Sequence, residues 1–258
     1  ITEASVRGYR RVQRWLPRFD RIALYGVQNE RYASGFSELE VPRERVVVTG
    51  NLKYDNLPTA AEDEQFRASP WARWSAGTPL VVFASTHDPE ERELARAWAA
   101  SPARDRAIAA FVPRHPERSD RLFVELQKLH PGPLRRRSEL SLNDTLTAGT
   151  LLLVDTFGEL ESAFRGARVA FLGGSLLPHG GQNVLEPAAL GVPVIVGPHV
   201  QNFSEEVLLL EEAQGLLRAS DAAGVIRCVE SWLADPEAAR RAGRAASDAL
   251  ASRRGAAE

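Results

Sequence analysis

Five short apolar runs, one of them opened by Arg168, limit what this chain can fold into: 79–84 (PLVVFA), 107–112, 151–154, 168–172 and 193–196. A strand with one face in water alternates apolar and polar residues; these do not, so both of their faces must be covered. Between them lie stretches with helical spacing of apolar residues, at 89–100 (Leu94, Ala97 and Trp98 on one side), 116–129, 158–164 and 184–190. Such alternation predicts an α/β fold, a Rossmann-like parallel sheet with helices on both faces. Upstream, 21–27 and 45–49 read as strands around a helix at 29–39, and 58–79 as a looser stretch holding Trp71 and Trp74. Two helices near 220–233 and 236–252 close the chain, and Arg135 to Arg137 reads as a solvated turn.

Composition removes several classes of function. Thirty-two basic against 34 acidic residues leave a formal charge of -2, too balanced for a nucleic-acid partner. No apolar run approaches the roughly 20 residues of a membrane span, and no apolar signal core follows Arg7, Arg10, Arg11 and Arg14. Cys228, the single cysteine, excludes an intramolecular disulfide and a cysteine-rich metal site. It reads as a core residue beside Val225, Val229 and Trp232. The chain begins at Ile1 and has no methionine, so it is expected to be a segment of a longer protein.

In open parallel sheets ligands gather at the carboxyl ends of the strands, which directs attention to four loops. In 173–198, GGSLLPHGGQNVLEPAALGVPVIVGP, Gly173, Gly174 and Ser175 leave a strand and Asn183 and Glu186 open a helix. Glycine pairs can turn backbone N–H groups toward an anion, and a first-turn carboxylate can accept from both hydroxyls of a ribose. On residue types alone a tight turn and a helix-dipole partner explain the same residues. In VPRHPER, Pro116 at a helix start leaves Arg114 and His115 in the loop, where a guanidinium and an imidazole can face a phosphate or a solvated surface. Ser85, Thr86 and His87 follow PLVVFA, before a helix whose first turn carries Glu90 and Glu91; N-capping is their plainer reading. Asn51 and Lys53 sit in GNLKYD, and Lys53 is one of only two lysines. Asp155, Thr156 and Gly158 can be a strand-to-helix turn only, and His179 and His199 read as loop residues rather than metal ligands.

Taken together, GNLKYD, ASTHDPEE, VPRHPER, VDTFGEL and GGSLLPHGGQNVLEPAALGVPVIVGPHVQNF, in this order, resemble the Kdo transferases, bacterial enzymes that attach 3-deoxy-D-manno-octulosonic acid (Kdo) to the lipid A precursor. Asp88 and Pro89 stand where the family often has glycine, and Gln182 where many members have histidine. The resemblance implies the C-terminal half of a GT-B glycosyltransferase. Residues 1–50 would end an N-terminal acceptor-binding domain, and 51–258 would form the nucleotide-sugar (donor) binding domain with its terminal helices. It implies inverting transfer from CMP-Kdo to the lipid A precursor without metal or cofactor, at the cytoplasmic face of the bacterial inner membrane. The general base would lie upstream of Ile1, the membrane surface would be met only through the N-terminal part, and the piece by itself would be soluble and inactive. Implied donor-binding residues are Arg114, His115, Thr156, Phe157, Gly158, Gly173, Gly174, Ser175, Asn183 and Glu186. Of these, Arg114, Asn183 and the backbone donors at 173–175 would meet the phosphate, Glu186 the ribose, and Phe157 the cytosine. Asn51, Lys53, Ser85, Thr86 and His87 would line the cleft. Two other readings stay open: another GT-B enzyme, such as a UDP-sugar transferase or epimerase, and a nucleotide-binding module without activity of its own.

Overall fold

The computed structural model describes residues 3–12, 19–59 and 64–255, which divide into two compact units, 1–57 with 251–258, and 58–250. In the first, helix α1 (Glu3–Val12) precedes strand β1 (Tyr25–Val27), helix α2 (Glu30–Ser37) and strand β2 (Val46–Val48). The strands pair in parallel, Tyr25 opposite Val46. Asn29 caps α2 by accepting from the Tyr32 amide at 3.0 Å, a contribution of about 1 kcal/mol. Val6, Val27, Phe36, Leu39 and Val46 form the core. The strand expected over 21–27 is shorter, because 19–21 wind into a 3₁₀ turn held by Ile22 N–H to the Phe19 carbonyl.

The second unit carries helices α3 (Glu64–Ala68) and α4 (Pro70–Gly77), then β3 (Leu80–Thr86), α5 (Glu90–Ala100), β4 (Ile108–Pro113) and α6 (Ser119–Leu129). Next come β5 (Leu134–Arg136), β6 (Leu151–Leu153), α7 (Leu160–Gly166), β7 (Ala167–Leu172), α8 (Leu185–Ala189) and β8 (Val194–Val196). Helix α9 (Ser204–Glu212), strand β9 (Leu216–Arg218) and helices α10 (Ala222–Ala234) and α11 (Pro236–Ala251) complete it. All seven strands are parallel, in the order β5-β6-β4-β3-β7-β8-β9. Alternate residues divide the two faces. Val81, Phe83, Phe111, Leu153, Phe171 and Ile195 pack in one cluster with Leu94, Trp98, Leu126, Val225 and Val229 of α5, α6 and α10. Their neighbours point to the side covered by α4, α7 and α8, whose helices contact one another in turn. Both faces are therefore dry, and the five apolar runs are the central strands.

Three expectations need correction. The stretch 58–79 is largely helical over its described part: Ser69 accepts from the Ala72 amide and Pro70 starts α4, so Trp71 and Trp74 are buried with ring centroids 5.3 Å apart. Arg135 to Arg137 is no solvated turn. Leu134–Arg136 pairs with β6, Arg136 lies over the Phe123 ring and pairs with Asp120, and Arg137 bonds Glu159. Strand β9 and helix α9 are not expected from the sequence, because a three-residue edge strand and a helix with buried Glu206 show little apolar pattern.

Candidate donor-binding site

The strand order reverses between β3 and β7: the chain builds toward β5 on one side of β3 and toward β9 on the other. At such a switch point the loops after the two strands diverge and leave a crevice. The loop after β3 is 87–89, entered through Ser85 and Thr86 at the end of the strand, and that after β7 begins at Gly173. Ser85 takes φ 51°, left-handed for a non-glycine residue, where the β3–β4 register slips between Ala84 and Thr86. Such strain, about 1–3 kcal/mol, persists only where the surroundings fix it. Here they do. The Arg114 amide donates to the Thr86 carbonyl at 2.9 Å, and Gly173 is so close that an added Cβ would lie 2.6 Å from both the Ser85 oxygen and Thr86 Cα.

Three imidazoles meet at these loops. The His87 ring is 4.8 Å from that of His179 and 5.8 Å from that of His115, centroid to centroid. Burial, then His179, His115, Arg118 and Arg114, hold the His87 pKa down at about 4, so it is neutral at pH 7. Gln182 Nε2 lies 3.3 Å from His87 Nε2, a donor facing the acceptor of a neutral ring. The exposed Arg114 guanidinium makes no hydrogen bond or ion pair with any described residue, whereas Arg118 is held by buried Glu91 at 2.7 Å. Arg114 is therefore the cation at this edge open to an anion. His115 faces Glu117 at 3.2 Å.

The glycine loop is arranged differently from the expectation. The Gly173 amide donates to the Ala84 carbonyl at 2.8 Å and the Gly174 amide to Glu90 Oε1 at 2.6 Å, so neither is open to a phosphate. Ser175 is buried; its hydroxyl donates to the Leu172 carbonyl and accepts from the Gly197 amide at 2.8 Å, which ties the β7 and β8 exits together. The Thr86 hydroxyl is also buried and cannot reach a ligand. Asn183 directs its amide nitrogen to Glu186 Oε1 at 2.9 Å and accepts from the Leu185 amide, so it orients Glu186 rather than offering that N–H to a phosphate. Glu186 is half-buried at the start of α8, with Oε2 unbonded to any described residue.

Thr156, Phe157 and Gly158 leave β6 as a braced loop. The Thr156 hydroxyl donates to Glu159 Oε1 at 2.8 Å, and Glu159 Oε2 accepts from Trp71 Nε1 at 2.8 Å and Arg137 Nε at 2.7 Å. Asp155 accepts from the Ser138 amide and hydroxyl. Gly158 has φ 79°. Phe157 is 80% exposed, an aromatic face held out to solvent. Asn51 and Lys53 belong to the first unit, in a turn where Asn51 Oδ1 accepts from the Lys53 amide at 3.1 Å. Sequence reasoning missed Glu90, Glu159, His179 and Gln182 as site residues. His179 and Gln182 stood inside the glycine block, and Glu90 three residues after His87, but nothing in a sequence says which carboxylate turns inward. Among the described residues no three His, Cys, Asp or Glu side chains are grouped as a metal site.

The fold, a seven-stranded parallel sheet with helices on both faces, is that of the domains of GT-B glycosyltransferases. Anabaena HepE in complex with UDP superposes on all of this chain and 65% of its own length with a TM-score of 0.53, at 11% identity, a likeness of fold alone. A family model described as 3-deoxy-D-manno-octulosonic-acid transferase (kdotransferase) matches residues 1–56. The 3-deoxy-D-manno-octulosonic acid transferase of Haemophilus influenzae is 36% identical over 92% of this chain and 55% of its own length, and that of Bordetella pertussis 32% over 86% and 52%. The C-terminal CMP-Kdo binding domain of WaaA from Acinetobacter baumannii is 35% identical, covering 72% of this chain and 96% of that domain, with a TM-score of 0.65. The chain belongs to the Kdo transferase family. It spans about half the length of the curated relatives it matches.

Proposed function

We propose that this chain supplies the donor-binding half of an inverting glycosyltransferase that moves Kdo from CMP-Kdo to the lipid A precursor, at the cytoplasmic face of the bacterial inner membrane. The observation that carries the reading is the unpaired Arg114 guanidinium beside the neutral His87 ring at the sheet's switch point, in a chain whose relatives are named for Kdo transfer. Arg114, with His115 and His179, meets the donor phosphate and takes up the charge that grows on it as CMP leaves. Glu186, oriented by Asn183, accepts from the ribose hydroxyls, and Phe157 packs on the cytosine. With the domain boundary taken at the division into compact units, 57/58 rather than the expected 50/51, residues 58–250 form the donor domain, and 1–57 belong to the acceptor side with Asn51 and Lys53.

Calorimetric titration with CMP, CTP, UMP and a UDP-sugar tests the reading. CMP and CTP should bind more tightly than the uridine ligands; tighter UDP binding sinks it. Glu186→Gln keeps the shape and removes the charge. Losing one charge-assisted interaction with the ribose should cost about 1.5–3 kcal/mol, roughly ten- to a hundredfold in CMP affinity, while the melting temperature barely moves. Unchanged affinity with earlier melting would make Glu186 a structural residue only.

A further inference from the structure

The glycine loop after β7 already holds a carboxyl group, and that group belongs to a side chain of the protein. Glu90, in the first turn of α5, is fully buried. Its Oε1 accepts from the His87 amide at 2.8 Å and the Gly174 amide at 2.6 Å, and the Leu176 amide also bears on the carboxylate. Oε2 has no hydrogen-bond partner among the described residues. One carboxylate oxygen therefore bolts the loop after β3 to the loop after β7, across the switch point where the strands diverge. A Cβ on Gly173 would come within 2.5 Å of this oxygen, so glycine is needed for the carboxylate to enter. On the solvent side of the same bolt lie the His87 ring, Gln182 and His179.

We propose that Glu90 is a positioning residue of the donor site: by occupying the Gly174 and His87 amides it fixes the spacing of the two loops, and it leaves the donor phosphate to the side chains in front, Arg114 with His115 and His179. The inference rests on the donor-site reading above and adds to it the element that sets the geometry. Reach matters here more than charge. Burial raises the Glu90 carboxyl to about 7, opposed by the amides of Gly174, His87 and Leu176, so the neutral acid already shares the site at neutral pH.

Two substitutions separate reach from charge. Glu90→Gln keeps an accepting oxygen at the same distance and loses the charge; Glu90→Asp keeps the charge and is one methylene too short to meet both amides. CMP affinity by calorimetry and amide hydrogen exchange at Gly174 by NMR should move together. Glu90→Asp should weaken CMP at least tenfold and speed Gly174 exchange at least a hundredfold, while Glu90→Gln stays within about threefold on both. A Glu90→Gln protein that loses CMP as Glu90→Asp does overturns the proposal, as does a folded Glu90→Asp with unchanged affinity. Should Glu90→Asp not fold, the Glu90→Gln arm decides alone, because equal spacing with lost binding contradicts it and retained binding supports it. If the unsubstituted chain fails to bind CMP, the donor-site reading falls; the bolt is then judged by Gly174 exchange in the two variants, where equal exchange in both overturns it.

Discussion

Gly173→Ala tests whether the two switch-point loops are as closely packed as described. Gly173 does not occupy the left-handed region, so conformational strain is no part of the effect and the methyl group is the whole perturbation. It would meet Glu90 Oε1 at 2.5 Å, the Ser85 carbonyl oxygen at 2.6 Å and Thr86 Cα at 2.6 Å, about 0.8 Å short of ordinary contact at 3.4 Å. Two of the three obstacles are backbone, and the third is an oxygen hydrogen-bonded to two amides, so no rotamer change relieves the clash. Overpacking of this kind costs about 1–3 kcal/mol, and the upper end applies where backbone must part. For a domain of this size about 3 kcal/mol is roughly 6–12 °C in Tm. Gly77→Ala is the control: nothing lies within 4 Å of its added Cβ, and as the last residue of α4 it should gain up to about 1 kcal/mol. Thermal melts of both variants, with CMP titration of each, give the comparison. Gly173→Ala melting within a degree or two of the unsubstituted chain would refute the packing argument.

Two proton linkages should oppose one another over nearly the same pH range and largely cancel in the unsubstituted chain. Between about pH 7 and 4.5 the folded chain keeps a proton on Glu90 that the unfolded chain has released, so acidification there stabilises it. Between about 6.5 and 4 the unfolded chain takes a proton that His87, beside His115, His179, Arg114 and Arg118, does not, so acidification there destabilises it. Glu90→Gln removes the first linkage and should lose about 2 kcal/mol relative to the unsubstituted chain between pH 7 and 5, read by urea unfolding at each pH; parallel curves would contradict the buried carboxyl. Glu159→Ala leaves Trp71 Nε1 without its acceptor and the Arg137 guanidinium, only 16% exposed, without its carboxylate and with the Leu140 carbonyl alone, and should destabilise by about 3 kcal/mol. Stability within 0.5 kcal/mol of the unsubstituted chain, roughly the scatter of a surface change, would show that the brace is not needed.

The sequence by itself determined the central sheet. PLVVFA and its four companions are apolar on both faces, and only a strand covered by helices on both sides satisfies that pattern, so β3, β4, β6, β7 and β8 and the helices between them were legible to within a few residues. It also carried the family, because its motifs retain residue types in a fixed order; the comparisons bear this out. The edge strands β5 and β9 were not legible. Three residues with one exposed side have no periodicity to detect, and their pairing depends on a neighbour supplied from elsewhere in the chain. Nor could the sequence say which polar groups were already used. The glycine amides look open to a phosphate until Glu90, 84 residues earlier, is seen to accept from Gly174; Arg137 looks solvated until Glu159 reaches it, 22 residues on. Hydrogen bonds between loops depend on how the strands beneath them are ordered, and that order is settled by burying the whole sheet at once. Residue types set what chemistry was available, and tertiary packing decided which groups were left free to perform it.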